Sequence, residues 1–200
     1  MTGTRDSLRS YLEGRENLGE PEMFLPSGGR RETLEKVQRA GLGAPDTTGL
    51  GTDAERLARS GTREEILAIE DMEGLRAVAE ACTRCGLHST RTKVVFSDGA
   101  PDASVLCVGE APGANEDRTG LPFVGRAGKL LDRLLLSAGF PRPDVFICNV
   151  LKCRPPGNRN PLPDEIEACS PFMLRQLELV SPMVIVAFGT FAAQTLLGCG

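Results

Sequence analysis

Ser104-Val-Leu-Cys-Val-Gly109 is an apolar run that passes directly into the glycine-containing stretch Glu110-Ala-Pro-Gly113. A short apolar run that ends at turn residues is typical of a strand buried in a parallel sheet. Two further runs of this kind follow along the chain, Val145-Phe-Ile-Cys-Asn-Val150 and Met183-Val-Ile-Val-Ala-Phe188. We therefore predict three buried strands.

Helical sequence follows each of these strands. Residues Ala127–Ala138 are amphipathic and stop at Gly139, whereas Pro163–Val180 opens with proline and acidic residues, which suit a helix N-terminus. A third helix is predicted from Thr190 to Leu197. Strands that alternate with helices predict an α/β fold of three layers, α/β/α, around a central, mainly parallel sheet.

The composition of the chain changes near residue 62. Residues 1–61 combine Gly, Pro, Ser and Thr clusters with charge, which predicts a mobile or weakly structured extension with short helical stretches near 5–12 and 31–40. Thr62-Arg-Glu-Glu65 matches a helix capping box. We expect the α/β domain to span residues 62–200, and to be truncated at its C-terminus because no strand follows Phe188.

The composition as a whole indicates a globular protein. Of 200 residues, 40% are hydrophobic, which is enough for a core. The longest apolar run, Met183–Phe188, is far too short to span a bilayer, and the acidic N-terminus does not match a signal peptide. We expect a cytoplasmic monomer with reduced cysteines, because the cytosol keeps thiols reduced.

The net charge of -4 hides a basic region. Between Arg118 and Arg159 there are eight Lys and Arg residues against only Asp132 and Asp144, a local net charge of +6. This segment suits a polyanion such as DNA. A solvated basic surface without a partner is the alternative that charge alone leaves open.

Four cysteines are spaced as two pairs of metal ligands, Cys82-x-x-Cys85 and Cys153-x15-Cys169. The wide second spacing is unlike most zinc ribbons, so the pattern favours an iron-sulfur cluster over zinc, with unrelated core thiols as the remaining alternative. Cys107 and Cys148 lie inside apolar strands, where we expect them to be packing residues.

The loop from Gly109 to Gly125 joins a strand to a helix and carries both glycines and carboxylates. Glycine allows a ligand to approach the backbone, and Glu110 and Glu116 are candidates for activating a water molecule. The loop lacks the endings of a phosphate loop and of a dinucleotide fingerprint. The alternative is a long turn with a structural role only.

Taken in order, these motifs resemble the family 4 uracil-DNA glycosylases, the iron-sulfur type of bacteria and archaea. The resemblance runs from about Ala79 to Gly200 and does not cover residues 1 to about 70. The matching motifs are Gly109–Gly113, Glu116-Asp117, Thr119–Gly125, Cys148–Pro156 and Asn160–Asp164 with Cys169.

The resemblance implies a 4Fe-4S cluster with a structural role, acting as a cross-link that anchors a basic segment against DNA. Its ligands would be Cys82, Cys85, Cys153 and Cys169. The implied DNA-binding residues are Lys152, Arg154 and Arg159.

The implied reaction is hydrolysis of the N-glycosidic bond of uracil in single- or double-stranded DNA, in base-excision repair. The resemblance assigns Phe123 to stacking on the flipped uracil, Asn149 to reading its edge, and the small Ala111 to close approach by the base. Of the two loop glutamates, we favour Glu116 as the water activator and Glu110 as a positioning or electrostatic group.

One motif of the family is missing from this chain. Family members carry a later His-Pro motif that supports the departing uracil anion, whereas the only histidine here is His88, just after the first cysteine pair. We therefore expect this 200-residue form, if truncated, to be weakly active or inactive. Two alternatives stay open: a non-catalytic DNA-binding module with a four-cysteine metal site, and a nucleotide-handling α/β enzyme.

Overall fold

The computed structural model describes residues 50–197, and within that range it contains seven α-helices and four strands. The helices are α1 (Leu50–Ser60), α2 (Arg63–Leu67), α3 (Met72–Glu80), α4 (Ala114–Thr119), α5 (Arg126–Ser137), α6 (Pro163–Val180) and α7 (Thr190–Leu197). The strands are β1 (Asp98–Gly99), β2 (Val105–Gly109), β3 (Phe146–Asn149) and β4 (Val184–Ala187). Every predicted strand, and the helix predicted after each, is confirmed to within one residue at either end.

The four strands form one sheet in the order β1-β3-β2-β4. Strand β2 pairs in parallel with both β3 and β4, and the two-residue β1 adds an antiparallel edge beside β3. The register places Gly109 opposite Asn149, so the carboxyl ends of β2 and β3 meet at one edge of the sheet. The predicted mainly parallel sheet is confirmed. Strand β1 was not predicted, because two residues carry no alternation pattern.

Helices cover both faces of the sheet, which confirms the three-layer arrangement. On one face, Leu131 and Leu135 of α5 pack against Val105 and Ile147. The other face is covered by helices including α3 and α6, whose buried side chains join those of β2 and β3 in a larger core cluster. Burying each large apolar side chain in this way stabilises the fold by about 1.5–3 kcal/mol.

The folded part of the described chain begins earlier than predicted. Helix α1 precedes Thr62 and buries Ala58 completely in the larger core cluster, so the folded core includes residues before the predicted boundary at residue 62. The capping box is confirmed, because the Glu65 amide donates to Thr62 Oγ1 at 3.2 Å and the Thr62 amide donates to Glu65 Oε2 at 2.8 Å.

The helical stretches predicted near 5–12 and 31–40 lie outside the described residues. Between residues 50 and 197, no helix combines the length and the apolar character that crossing a bilayer requires.

Candidate active site and four-cysteine centre

Three parallel strands end at the same edge of the sheet, and the candidate site lies there. Gly109 ends β2, Asn149 ends β3, and Phe188 follows β4, with the Phe188 amide donating to Val108 O at 2.8 Å. In sheets of this kind ligands bind beyond the carboxyl ends of the strands. The sequence analysis did not identify Phe188 as a site residue. The signal that could have identified it is its position at the end of a predicted strand, next to the edge where ligands bind.

Gly109 is the point at which two predicted site residues converge. A Cβ atom at this position would lie 2.5 Å from Phe123 Cζ and 2.7 Å from Phe123 Cε2, and it would collide with Asn149 Oδ1. Real Cβ atoms do not approach other atoms so closely. Only glycine therefore allows the Phe123 ring and the Asn149 amide to share this edge of the sheet.

The Asn149 side chain is buried but has no protein partner in the described part of the chain. The residue is 2% exposed, and its backbone carbonyl accepts a hydrogen bond from Lys152 Nζ at 2.7 Å. The side-chain amide makes no hydrogen bond with residues 50–197. Its nitrogen and oxygen are not fully enclosed by this part of the chain. A buried polar group normally has a partner. This amide is therefore a candidate for contact with a ligand.

Phe123 holds an unusual backbone conformation. Its φ of 51° is in the left-handed region, which a bulky residue adopts only when its surroundings enforce it. Its ring packs edge-on against Phe188, with 5.8 Å between ring centroids and 62° between the ring planes. The ring is only partly buried. Phe123 thus provides an aromatic surface beside the Asn149 amide.

Glu110 and Ala111 follow β2 directly and are both partly buried. The Glu110 carbonyl accepts from the Leu151 amide at 3.0 Å, which holds this residue against the end of β3. Burial raises the pKa of the Glu110 carboxyl above its ordinary value, because the charged form loses hydration. Ala111 packs against the larger core cluster.

The Glu116 carboxylate is already occupied by backbone groups. Its Oε1 accepts from the amides of Val124 at 2.9 Å and Gly125 at 2.8 Å, at the start of α5. Gly125 is the N-cap residue of that helix and provides no side-chain cap. Glu116 therefore supplies a carboxylate cap for α5 and fixes the turn that follows Phe123.

The four predicted ligands line one cavity. Cys82 and Cys85 follow α3, Cys153 lies shortly after β3, and Cys169 is in α6. Burial raises the pKa of Cys153 to about 11 and that of Cys169 to about 12, so both are neutral thiols at physiological pH without a metal. Cys82 and Cys85 also have raised pKa values because of burial.

Cationic groups and N–H donors surround these thiols. The Lys152 amide donates to Cys169 Sγ at 3.2 Å, and Arg91 Nη1 approaches Cys153 Sγ at 3.4 Å. Arg84 lines the same cavity, and its Nη1 is a buried nitrogen without a hydrogen-bond partner among residues 50–197. A buried guanidinium nitrogen without a partner is costly unless an anionic group lies beside it. The cavity therefore suits a group with net negative charge.

The remaining cysteines and the histidine lie as follows. Cys107 and Cys148 are buried in β2 and β3, as their apolar surroundings predicted, whereas Cys199 is outside the described residues. His88 lies beside the cysteine cavity, with its Nδ1 2.8 Å from Cys85 O. Within the described chain, no group of three or more His, Cys, Asp or Glu side chains is arranged to hold a single metal ion.

The three predicted DNA-binding residues differ in exposure. Lys152 is 2% exposed, and its Nζ donates to Asn149 O and to Gln176 Oε1, so the prediction that it contacts DNA is wrong. The chain around it, from Val150 to Cys153, is buried throughout. Arg159 is exposed and forms two hydrogen bonds with Glu165, at 2.6 and 2.9 Å. Arg154 is partly buried and donates to Asn158 Oδ1 at 2.7 Å.

Comparison with known families agrees with this geometry. The sequence profile of the uracil DNA glycosylase superfamily matches residues 96–199, which include all four strands and the residues around Gly109. The chain belongs to this superfamily. The three-layer fold is thus that of a uracil DNA glycosylase superfamily member, and the matched residues include the carboxyl ends of β2 and β3.

Relatives within the superfamily include several type-4 uracil-DNA glycosylases. The chain is 52% identical over 131 residues to the type-4 uracil-DNA glycosylase of Thermotoga maritima, which covers 66% of each chain. It is 50% identical over 126 residues to the type-4 uracil-DNA glycosylase of Archaeoglobus fulgidus, 63% of each chain. For that of Sulfurisphaera tokodaii the identity is 47% over 122 residues, 60% of this chain and 56% of the relative. The chain matches less than two thirds of the length of these relatives.

Proposed function

We propose that this protein is a uracil-DNA glycosylase of base-excision repair, which hydrolyses the bond between uracil and deoxyribose. One observation carries the proposal: the buried Asn149 amide, without a protein partner in the described chain, lies beside the Phe123 ring at Gly109. The type-4 relatives support the same activity. The decisive assay measures uracil excision from single-stranded and duplex oligonucleotides by protein expressed from its full reading frame. Tight DNA binding without excision would instead indicate a non-catalytic binding module.

The site suits a base that has been flipped out of the DNA stack. A flipped uracil needs an aromatic face for stacking and a polar group for its Watson-Crick edge. The Phe123 ring supplies the face, and the Asn149 amide supplies both an acceptor and donors for the imide edge. Gly109 allows the Phe123 ring and the Asn149 amide to come together at the end of β2, and the small residue Ala111 follows shortly after.

The two loop glutamates have different roles in this proposal. Loss of uracil leaves positive charge on the sugar, which a nearby carboxylate stabilises while it orients the attacking water. The Glu116 carboxylate is held by two backbone amides, whereas Glu110 is partly exposed at the end of β2. We therefore assign water activation and charge stabilisation to Glu110 and positioning of the Phe123 turn to Glu116. This reverses the division that the sequence favoured.

Paired glutamine substitutions test this assignment. Glu110→Gln removes the charge and the base, so we expect a loss of about 10²–10⁴-fold in single-turnover excision. Glu116→Gln keeps an oxygen that accepts from both amides. We therefore expect its excision rate to fall by about tenfold or less, because charged hydrogen bonds are replaced with neutral ones.

The pH profile provides a second readout for the same pair. Glu110 must be ionised, and burial raises its pKa, so wild-type activity should increase with pH through a midpoint above the ordinary pKa of a glutamate. This acidic limb should vanish in Glu110→Gln and persist in Glu116→Gln. An unchanged limb in Glu110→Gln would exclude Glu110 as the water activator.

We also propose that Cys82, Cys85, Cys153 and Cys169 hold a 4Fe-4S cluster. Four thiols around one cavity, N–H donors to two of the sulfurs and the buried, unpartnered Nη1 of Arg84 fit an anionic thiolate-bound group. Bound there, the cluster would supply a cross-link between the end of α3, the segment after β3 and α6. Zinc is the competing metal, and elemental analysis of purified protein separates the two.

DNA is proposed to dock beside the Phe123 turn. A cavity of about 300 Å³ adjoins Val124 and Gly125 and is lined by Arg118, Arg126 and Lys129. None of these three cations forms an ion pair with a carboxylate within residues 50–197. Cations placed in this way neutralise backbone phosphates on DNA. Arg154 and Arg159 are proposed to extend this contact, and Lys152 is not part of it.

Salt dependence of binding measures these phosphate contacts. In the double variant Arg126→Gln with Lys129→Gln, two phosphate contacts are lost. The slope of the logarithm of the association constant for duplex DNA against the logarithm of the salt concentration should therefore become less steep by about 1.8. The control is Arg59→Gln with Arg63→Gln, two exposed cations on α1 and α2. The control has the same charge change and should keep the wild-type slope. Equal slopes in all three proteins would place the phosphate contacts elsewhere.

A further inference from the structure

Arg142 connects the Phe123 turn to two other elements of the fold. It lies in the short turn Arg142–Asp144 that precedes β3. Its Nη2 donates to Pro122 O at 2.6 Å, and its Nη1 donates to Phe123 O at 3.1 Å. A single guanidinium thus holds two successive backbone carbonyls of the turn.

Two carboxylates fix this guanidinium in place. Arg142 Nε donates to Asp98 Oδ2 of β1 at 2.7 Å, and Nη1 donates to Asp132 Oδ1 of α5 at 2.8 Å. These ion pairs raise the pKa of Arg142 further, against the effect of burial, so the group is charged at every physiological pH. The planar fork of arginine meets all four acceptors, whereas the single ammonium of lysine cannot.

The carbonyl that Arg142 holds belongs to the residue with the strained backbone. Phe123 has its φ at 51°, and the adjacent helix approaches so closely that a Cβ atom on Gly128 would overlap Phe123 O. Strain of this kind persists only where neighbouring contacts enforce the conformation. The contacts that enforce it here are the guanidinium on one side and the glycine surface of α5 on the other.

We propose that Arg142 is a positioning residue that sets the orientation of the Phe123 ring toward the base. The inference rests on the proposed function, because it assigns to Phe123 the stacking face for uracil. Arg142 does not touch the substrate in this scheme. It acts by holding the Pro122 and Phe123 carbonyls, so that the ring lies against Gly109 beside the Asn149 amide.

A double-mutant cycle tests whether Arg142 acts through Phe123. We expect Arg142→Met to lower the single-turnover excision rate by about 10–100-fold, as misplaced reacting groups do, with little change in the Kd for uracil-containing DNA. In a Phe123→Ala background the same substitution should change the rate by less than about threefold, because coupled residues are not additive. Equal losses in both backgrounds would show that Arg142 has a merely structural role and would overturn the proposal.

Two further variants keep the test informative if Arg142→Met folds poorly. Asp132→Asn leaves Arg142 in place but weakens its hold, so a smaller rate loss with the same dependence on Phe123 is expected. Arg175→Met is the matched control, because Arg175 is also partly buried and donates to a carbonyl, that of Ile69, away from the site. The control should keep the wild-type rate. A rate loss in Arg175→Met equal to that in Arg142→Met would contradict the proposal.

A readout without catalysis separates this proposal from the function on which it rests. Protein labelled with 4-fluorophenylalanine gives a fluorine resonance for Phe123 that is assigned by its loss in Phe123→Leu. This resonance should shift or broaden in Arg142→Met and stay unchanged in Arg175→Met. If the wild-type protein excises no uracil and the resonance still shifts, the proposed function fails and the positioning role stands. An unshifted resonance would overturn the positioning role itself.

Discussion

The Asn149→Ala variant is expected to lose uracil excision by about 10²–10³-fold, as when one donor to a developing negative charge is removed. As the glycosidic bond breaks, negative charge collects on the uracil oxygens, and the Asn149 amide lies beside the Phe123 ring at Gly109. The substitution also removes the group that reads the imide edge. The measurement is single-turnover excision from an oligonucleotide with one uracil.

Folding and DNA docking should survive this substitution. The Asn149 backbone bonds to Lys152 and to the neighbouring strand do not depend on its side chain. Gln194→Ala is the matched control, because it removes an exposed amide from α7. We expect wild-type excision in the control and a wild-type Kd for DNA in both variants. Excision by Asn149→Ala within threefold of the wild-type rate would remove the main support for the proposed function.

The Cys169→Ala variant is expected to be colourless and much less stable. Cys169 is buried in α6, and the cluster proposed there would cross-link α6 to the end of α3 and to the segment after β3. A metal site that exists only in the folded state contributes its binding free energy to folding. We expect the free energy of unfolding to decrease by about 5 kcal/mol. For a chain of this size, that corresponds to a decrease of roughly 10–20 °C in the thermal midpoint.

Visible absorbance, iron and sulfide content, and thermal unfolding measure this effect together. Cys107→Ala is the control, because Cys107 is buried in β2 among apolar neighbours and away from the cavity. In the control, the free energy of unfolding should decrease by only about 1 kcal/mol, and the protein should keep its colour and iron. Iron and absorbance that persist in Cys169→Ala, or zinc in the wild-type protein, would exclude the proposed cluster.

Much of the fold was predictable because apolar runs are local signals. The strands from Val105, Phe146 and Val184 and the helices that follow them have lengths and patterns that a window of about ten residues contains. The position of Gly109 and Asn149 at one edge also followed, since the carboxyl ends of parallel strands meet there. Strand β1 is too short to carry a pattern, and helix α1 was missed although it is amphipathic, because its apolar face includes alanines and few large side chains.

The partners of polar side chains could not be predicted in the same way. Lys152 was expected at the surface as part of a basic segment, yet it is buried with Gln176, which lies in a different element. Glu116 was expected to face a water molecule, yet its carboxylate is held by the amides at the start of α5. In each case the partner lies in a separate element, and no local sequence pattern indicates that the two groups will meet.

The alternation of strands and helices and the spacing of the four cysteines could be recognised in the printed chain, because both depend on residue type and local pattern. The roles expected of Phe123, Asn149 and the two loop glutamates came instead from the resemblance to a known family. Three contacts could be seen only in the folded chain: Arg142 holds the Phe123 turn, Phe188 packs against the Phe123 ring, and Lys152 donates to the Asn149 carbonyl. The first two join the Phe123 turn to the start of β3 and the end of β4, and contacts between separate elements exist only once the chain has folded.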